Sequence, residues 1–386
     1  MIPYGRQTIS EKDIEAVIEV LRSDWITQGS VAPRFEKAVA EYCGAKFAYS
    51  VNSATSALHI ACLALGVGPG DRVWTSPNTF VASSNCALYC GASVDFVDID
   101  PVSYNMSVGE LSRKLEEAEI SDSLPKVVIP VHFSGQSCEM EKIADLSRRY
   151  GFRILEDASH AIGGRYKNEQ IGNCKFSDIA VFSFHPVKII TTGEGGMALT
   201  NDPQLGHAMD LFRNHGITRK IDEMHPRPPA ETWGYQQLLL GHNYRMTDLQ
   251  AALGLSQLRR VDEFVSKRRR IAERYDGSLG KTPLAIPWQH PDSYSSYHLY
   301  PVRLKQSRVD KSQTQLLATL KDSGIGVNLH YIPVYLHPYY QSLGFGRGHC
   351  PVAEDYFGQV ISLPMFPSLS SEDQYRVIEV VRGFFV

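Results

Sequence analysis

Apolar positions in the first half of the chain fall into short runs separated by stretches with helical spacing. Phe47–Val51, Arg72–Thr75, Ser93–Val97, Lys126–Val131 and Arg153–Glu156 are brief and rich in Val, Ile, Leu or Phe, and each is predicted to be a strand. Between them Ser53–Leu65, Phe80–Tyr89, Val108–Ala118 and Met140–Tyr150 repeat their apolar residues at helical intervals. Ile179–Ser183 and Met197–Thr200 add two more strands, with a turn-rich stretch between them. Strands that alternate with helices in this way build a mostly parallel sheet covered on both faces.

After Met246 the pattern changes. Thr247–Tyr275 reads as one long helix, with Leu249, Ala252, Leu253, Leu255 and Leu258 on its apolar side. A strand at Tyr297–Leu304, a helix at Ser312–Asp322, a strand near Val327–Tyr331 and a final helix at Ser371–Gly383 follow. The expected organisation is a large α/β domain with an N-terminal arm over 1–246, then a linking helix and a smaller α+β domain over 247–386. The polar, Pro-rich segment Asp222–Thr232 is expected to be an exposed loop.

Composition narrows the function classes. The 386 residues are 43% hydrophobic and 21% charged, with a net charge of −3, which gives no footprint for nucleic acid or an anionic membrane. No apolar run at Met1–Gln7 resembles a secretion signal, and none elsewhere is long enough to span a membrane. The seven cysteines are odd in number and scattered, as expected of reduced thiols in a cytoplasmic protein. Cys86 and Cys90 lack a second nearby pair, so buried small side chains outweigh a metal site.

Open parallel sheets bind ligands beyond the carboxyl ends of their strands. Three segments lie there. Asn52-Ser53-Ala54-Thr55-Ser56 offers small hydroxyl residues and free N–H groups at a helix start, which suit a phosphate or serve equally as a cap. Glu156-Asp157-Ala158-Ser159-His160 ends a strand with acids, and Asp157 is placed to hold a protonated ring nitrogen or to cap a helix. Phe182–Gly196 contains Lys188 before the glycines Gly193, Gly195 and Gly196. A lysine desolvated there attacks an aldehyde and forms an imine; a lysine in isolation is usually a surface residue. The glycines are expected to let backbone pass close to a cofactor.

Taken together, Asn52–Leu58, Glu156–His160, Ser183-Phe184-His185-Pro186-Val187-Lys188, Gly193–Gly196 and Asn243-Tyr244-Arg245-Met246-Thr247-Asp248 resemble the DegT/DnrJ/EryC1/StrS family of sugar aminotransferases. The likeness runs from Ile26-Thr27-Gln28-Gly29 to Ile361-Ser362-Leu363-Pro364. It implies the fold-type I aminotransferase architecture and pyridoxal 5'-phosphate as cofactor. It also implies roles: Lys188 binds the cofactor covalently, Asp157 pairs with its ring nitrogen, and Ala54, Thr55 and Ser183 hold its phosphate. Phe80 would stack on the ring, His160 would lie at its hydroxyl side, and Asn243 would reach the phosphate held by a neighbouring subunit. A homodimer whose active sites are completed across the interface follows from that last role.

Ala87–Ala92, Val131–Cys138, Phe184–Lys188 and Val327–Val334 are most similar to the subgroup of pseudaminic acid biosynthesis. That subgroup converts UDP-2-acetamido-2,6-dideoxy-β-L-arabino-hex-4-ulose to the 4-amino-L-altrosamine derivative, with L-glutamate as donor. Arg245 is a candidate for an anionic group of donor or substrate, and His330 and Tyr331 for the sugar nucleotide; each is equally open to a structural role. Another UDP- or dTDP-keto sugar is the alternative substrate. A pyridoxamine-dependent dehydratase would carry histidine in place of Lys188. A regulatory protein on this fold would lack the lysine or aspartate, and a dinucleotide-binding dehydrogenase would need a spaced three-glycine loop after a strand, absent here.

Overall fold

The computed structural model describes residues 1–226, 234–305 and 310–386. Its centre is a seven-stranded sheet in the order Phe47–Val51, Gly196–Thr200, Ile179–Ser183, Arg153–Asp157, Val127–Ile129, Arg72–Thr75, Ser93–Phe96. Gly196–Thr200 runs antiparallel to both neighbours, and the other strands share one direction. Ile179–Ser183 and Gly196–Thr200 are buried at every position, because helices cover both faces. Helix Ala54–Ala64 is buried from Ser56 to Cys62 and packs on helices Ala82–Tyr89 and Pro203–Arg213. Met140–Tyr150 buries Met140, Ile143, Ala144 and Tyr150 and stops at Gly151, whose φ of 80° ends the helix in the left-handed region.

A second core gathers Tyr275, Leu284, Tyr300, Val302, Leu316, Ile361 and Val377 around the three-stranded antiparallel sheet Leu284–Ala285, Tyr300–Leu304, Val360–Leu363. Ile2 joins this core from the amino terminus. The first residues are strapped to it by bonds from Ile2 N to Gly324 O (2.9 Å), Gly326 N to Ile2 O (2.6 Å) and Met365 N to Tyr4 O (3.0 Å).

The single helix expected over Thr247–Tyr275 is two, Asp248–Leu258 and Val261–Leu279. The break falls at Arg260, whose backbone leaves the helical region (φ −116°, ψ 8°). Its guanidinium bonds Thr8 O at 3.2 Å and the buried Asp13 at 2.9 Å. The break lets the first piece pack on helices Glu11–Leu21 and Val31–Cys43 while the second turns toward helix Ser371–Gly383. Inside the second piece Arg268 is wholly buried, and its Nη1 donates to the carbonyls of Tyr297 (3.2 Å), His298 (3.1 Å) and Met365 (2.9 Å).

The strand expected near Val327–Tyr331 does not form. Only Asn328 bridges Ser362, because the chain leaves the small sheet there to cross onto the large one. Of the loop expected at Asp222–Thr232, Ile221–Glu223 forms one short turn of helix, and positions 227–232 lie outside the described residues. All seven cysteines are buried and unpaired. Among the described residues no helix is long and apolar enough to cross a membrane.

Candidate active site

The sheet register builds the site. Ser183 pairs with Gly196, and Gly196 pairs with Val51, so these residues form one row across three strands. Asp157 lies in the next strand, opposite Val181. The chain leaves this edge as Asn52–Ala54 on one side and as His185–Lys188 on the other. Asp157, Ser183, Lys188 and the start of helix Ala54–Ala64 are thereby gathered at one end of the sheet.

Alternation along strand Arg153–Asp157 sends its two terminal acids to opposite faces. Glu156 accepts from His132 Nε2 at 2.6 Å and from Ser177 Oγ, a buried set that ties strand to loop. Asp157 faces the site. Its Oδ2 accepts from Ser83 Oγ at 2.5 Å and its Oδ1 from Ser159 N at 3.1 Å, which fixes the carboxylate plane. Thr79 Oγ1 stands 2.7 Å behind Ser83 and completes the relay.

Lys188 is half-buried. Burial brings its amine down to about 8, and the negative charge of Asp157 offsets this only in part. Three histidines surround this pair. His160 is driven well below its usual value by burial and then by the charges of Lys188 and His330. His330 falls to about 3 for the same reasons, burial first and Lys188 second. His298, its ring 4.3 Å from that of His160, is likewise driven well down by burial. A neutral imidazole wall leaves Lys188 as the group whose charge changes near neutral pH.

At the helix start Ser53 Oγ accepts from Ser56 N at 3.1 Å. The N–H groups of Ala54 and Thr55, in the first turn, have no carbonyl of their own helix to bond. The glycine-rich turn packs closely against this helix start. A Cβ on Gly196 would stand 2.5 Å from Ala54 N and 2.6 Å from its Cα. Gly195 makes room for Thr192 and Met246, and Gly193 supplies a left-handed turn (φ 81°) in open space. Gly195 and Gly196 thus spare close contacts within the protein.

The other candidates are placed as follows. Phe80 is 59% exposed at the mouth of the site, one turn before Ser83. Asn243 is exposed; its backbone bridges Asn214, and its side chain bonds no described residue. Arg245 donates to Asn214 Oδ1 at 2.6 Å and lines a cleft with Gln28, Glu36, Ser50 and Arg213 rather than meeting Lys188. His330 and Tyr331, expected on a loop of the small domain, are brought onto the large sheet beside His160. His330 is buried, with Nδ1 2.8 Å from Ser362 Oγ, and Tyr331 Oη lies 3.3 Å from His160 Nε2. Ser83, His298 and Tyr4, whose ring is 5.7 Å from that of His330, had no signal in sequence. Only spatial neighbours reveal them.

The donor set fits pyridoxal phosphate: a fixed carboxylate for a ring nitrogen, a lysine poised near neutral pH, and unpaired N–H groups beside Ser183 for a phosphate. Comparison with known proteins gives the same answer. Residues 7–382 match the DegT/DnrJ/EryC1/StrS aminotransferase family. The spore coat polysaccharide biosynthesis protein SpsC of Bacillus subtilis is 38% identical over 384 residues, 99% of this chain and 96% of that protein. The UDP-4-amino-4,6-dideoxy-N-acetyl-beta-L-altrosamine transaminase of Campylobacter jejuni is 36% identical over 377 residues, 97% of this chain and 94% of that one. Among solved structures PseC of Helicobacter pylori, an aminotransferase involved in the biosynthesis of pseudoaminic acid, superposes with a TM-score of 0.89 at 33% identity, over 100% of this chain and 99% of that one. This chain therefore belongs to the DegT/DnrJ/EryC1/StrS aminotransferase family and is a pyridoxal-phosphate-dependent sugar aminotransferase.

Proposed function

We propose that the chain moves an amino group from L-glutamate to the C4 ketone of UDP-2-acetamido-2,6-dideoxy-β-L-arabino-hex-4-ulose, giving UDP-4-amino-4,6-dideoxy-N-acetyl-β-L-altrosamine. The observation that carries this reading is the placement of Lys188, an amine half-neutral near pH 8, with Asp157 at one sheet end. The named activity of the C. jejuni relative and the pathway of the H. pylori structure support the choice of sugar.

When bound, the cofactor supplies an electron sink that stabilises negative charge on the donor's Cα. Asp157, held by Ser83 and Ser159, keeps a proton on the ring nitrogen. Lys188 Nζ takes the proton from the donor's Cα and, in the second half of the cycle, delivers one to the sugar's C4. Delivery from one fixed position sets the configuration of the new amine. Ala54, Thr55 and Ser183 would hold the phosphate, and Phe80 would pack on the ring.

The side chain of Asn243 bonds no described residue of its own subunit, and exposed apolar side chains such as Trp25 (64%) and Leu240 (81%) offer surface to a second copy. We assign Asn243 to the cofactor phosphate of that second copy, in a homodimer.

The test is Lys188→Ala. The variant is expected to fold, to lose the visible absorbance of lysine-bound cofactor and to lose turnover; retention of either would overturn the assignment. Incubation with UDP- and dTDP-linked 4-keto sugars, with NMR of the product, checks the substrate.

A further inference from the structure

The hydrogen bonds around His160 leave one donor unused. The backbone N–H of Ser134 donates to Nδ1 of His160 at 3.3 Å, so that nitrogen bears no hydrogen. The hydrogen of the neutral ring is then on Nε2, and it points to Tyr331 Oη at 3.3 Å. Tyr331 is the acceptor in that bond. Its own hydroxyl hydrogen remains, and no other hydrogen bond to Oη exists among the described residues.

Tyr331 is also firmly placed. Its backbone N–H donates to Asn78 Oδ1 at 3.0 Å, Val334 N donates to Pro77 O at 3.0 Å, and Tyr356 Oη donates to His330 O at 3.1 Å. These bonds hang the loop from the large sheet. The phenol ring lies 6.2 Å from both His160 and Phe133 and is half-buried. The titratable groups that face it are Tyr4, Asp157, Tyr356, His160 and His330, and Lys188 in turn acts on the two histidines. Asp157, His160 and Lys188 belong to the end of the large sheet described above.

We propose that Tyr331, oriented by His160, donates its hydroxyl hydrogen to a negatively charged oxygen of the molecule held at Lys188. Two oxygens have that chemistry, the ring oxygen of the cofactor and the C4 oxygen of the keto sugar, which takes up negative charge as an amine adds to its carbon. The inference rests on Lys188 as the cofactor lysine and adds to it a hydrogen-bond donor on the opposite wall. His160 acts through Tyr331 as a positioning residue.

Tyr331→Phe keeps the ring and its packing, and its thermal melt is expected to match wild type. The first measurement is the pH titration of the visible band in cofactor-loaded protein without substrate. Without the phenol, the ring oxygen's charge is met only by the neighbouring protonated nitrogen, which then keeps its proton to higher pH. If the donor serves the ring oxygen, the midpoint rises by about one pH unit or more. If it serves the sugar oxygen, the titration stays in place and only the single-turnover rate with the keto sugar falls, the glutamate half-reaction being unaffected. In whichever arm responds, His160→Ala gives the same change and the double variant adds little to it. An unchanged titration together with an unchanged sugar half-reaction in Tyr331→Phe overturns the proposal. A wild-type protein with no lysine-bound band would instead overturn the assignment of Lys188, so the two failures are told apart.

Discussion

Burial around Lys188 decides when its nitrogen can react. An amine brought down to about 8 is mostly protonated at pH 6 and mostly free at pH 9. Capture of pyridoxal phosphate by cofactor-free protein should therefore accelerate about tenfold per pH unit below that value and level off above it. A stopped-flow absorbance series gives the profile, and a rate still rising past pH 10 would mean that the lysine is solvated. Lys188 and Asp157 were legible in sequence because each follows an apolar strand whose end they mark. Ser83 and His298 were not, because what makes them matter is a contact across the fold. Tyr331 stands between: its type invited a role, but its place on the large sheet depends on Asn78, far away in the chain.

The elements were readable wherever one apolar run meant one strand. Arg72–Thr75, Met140–Tyr150, Ile179–Ser183 and Ser371–Gly383 stand where their periodicity puts them. No Pro or Gly marks the break between Leu258 and Val261; what stands at it is Arg260, bonded to Asp13. Asp13 accepts from Ser10, Ser256, Gln257 and Arg260. Burial opposes its ionisation, but the hydrogen bonds of Ser256 and Ser10 and the charge of Arg260 outweigh it and hold the carboxyl below its usual range. That contribution to stability is complete above about pH 4 and disappears as pH falls through the lowered value. Asp13→Asn should thus lose about 2–4 kcal/mol at neutral pH, with the gap to wild type closing in acid, as urea melts at several pH values would show. Gly196→Ala tests the other junction. Its methyl would strike Ala54, for about 1–3 kcal/mol of destabilisation together with weaker cofactor binding, measured by melt and by titration with pyridoxal phosphate.

At the scale of the whole molecule, the active site proposed to be shared between two copies makes a quantitative statement. Mixing Lys188→Ala with Asn243→Ala subunits gives hybrid dimers that each contain one intact site and one doubly damaged site. Activity should return to about a quarter of wild type after equal mixing, if exchange is complete and symmetric. No recovery would mean that Asn243 serves its own subunit. The large sheet and the small one were both foreseeable from pattern; how they are joined was not, since the joints are Ile2 and the Tyr331 loop. Arg268 has a mechanical consequence. One guanidinium with three carbonyls in a dry interior cannot be pulled from them without stranding a charge, which costs several kcal/mol. Helix Val261–Leu279 is thus clamped to the residues that enter strand Tyr300–Leu304 and to Met365, so the small domain resists deformation as one piece.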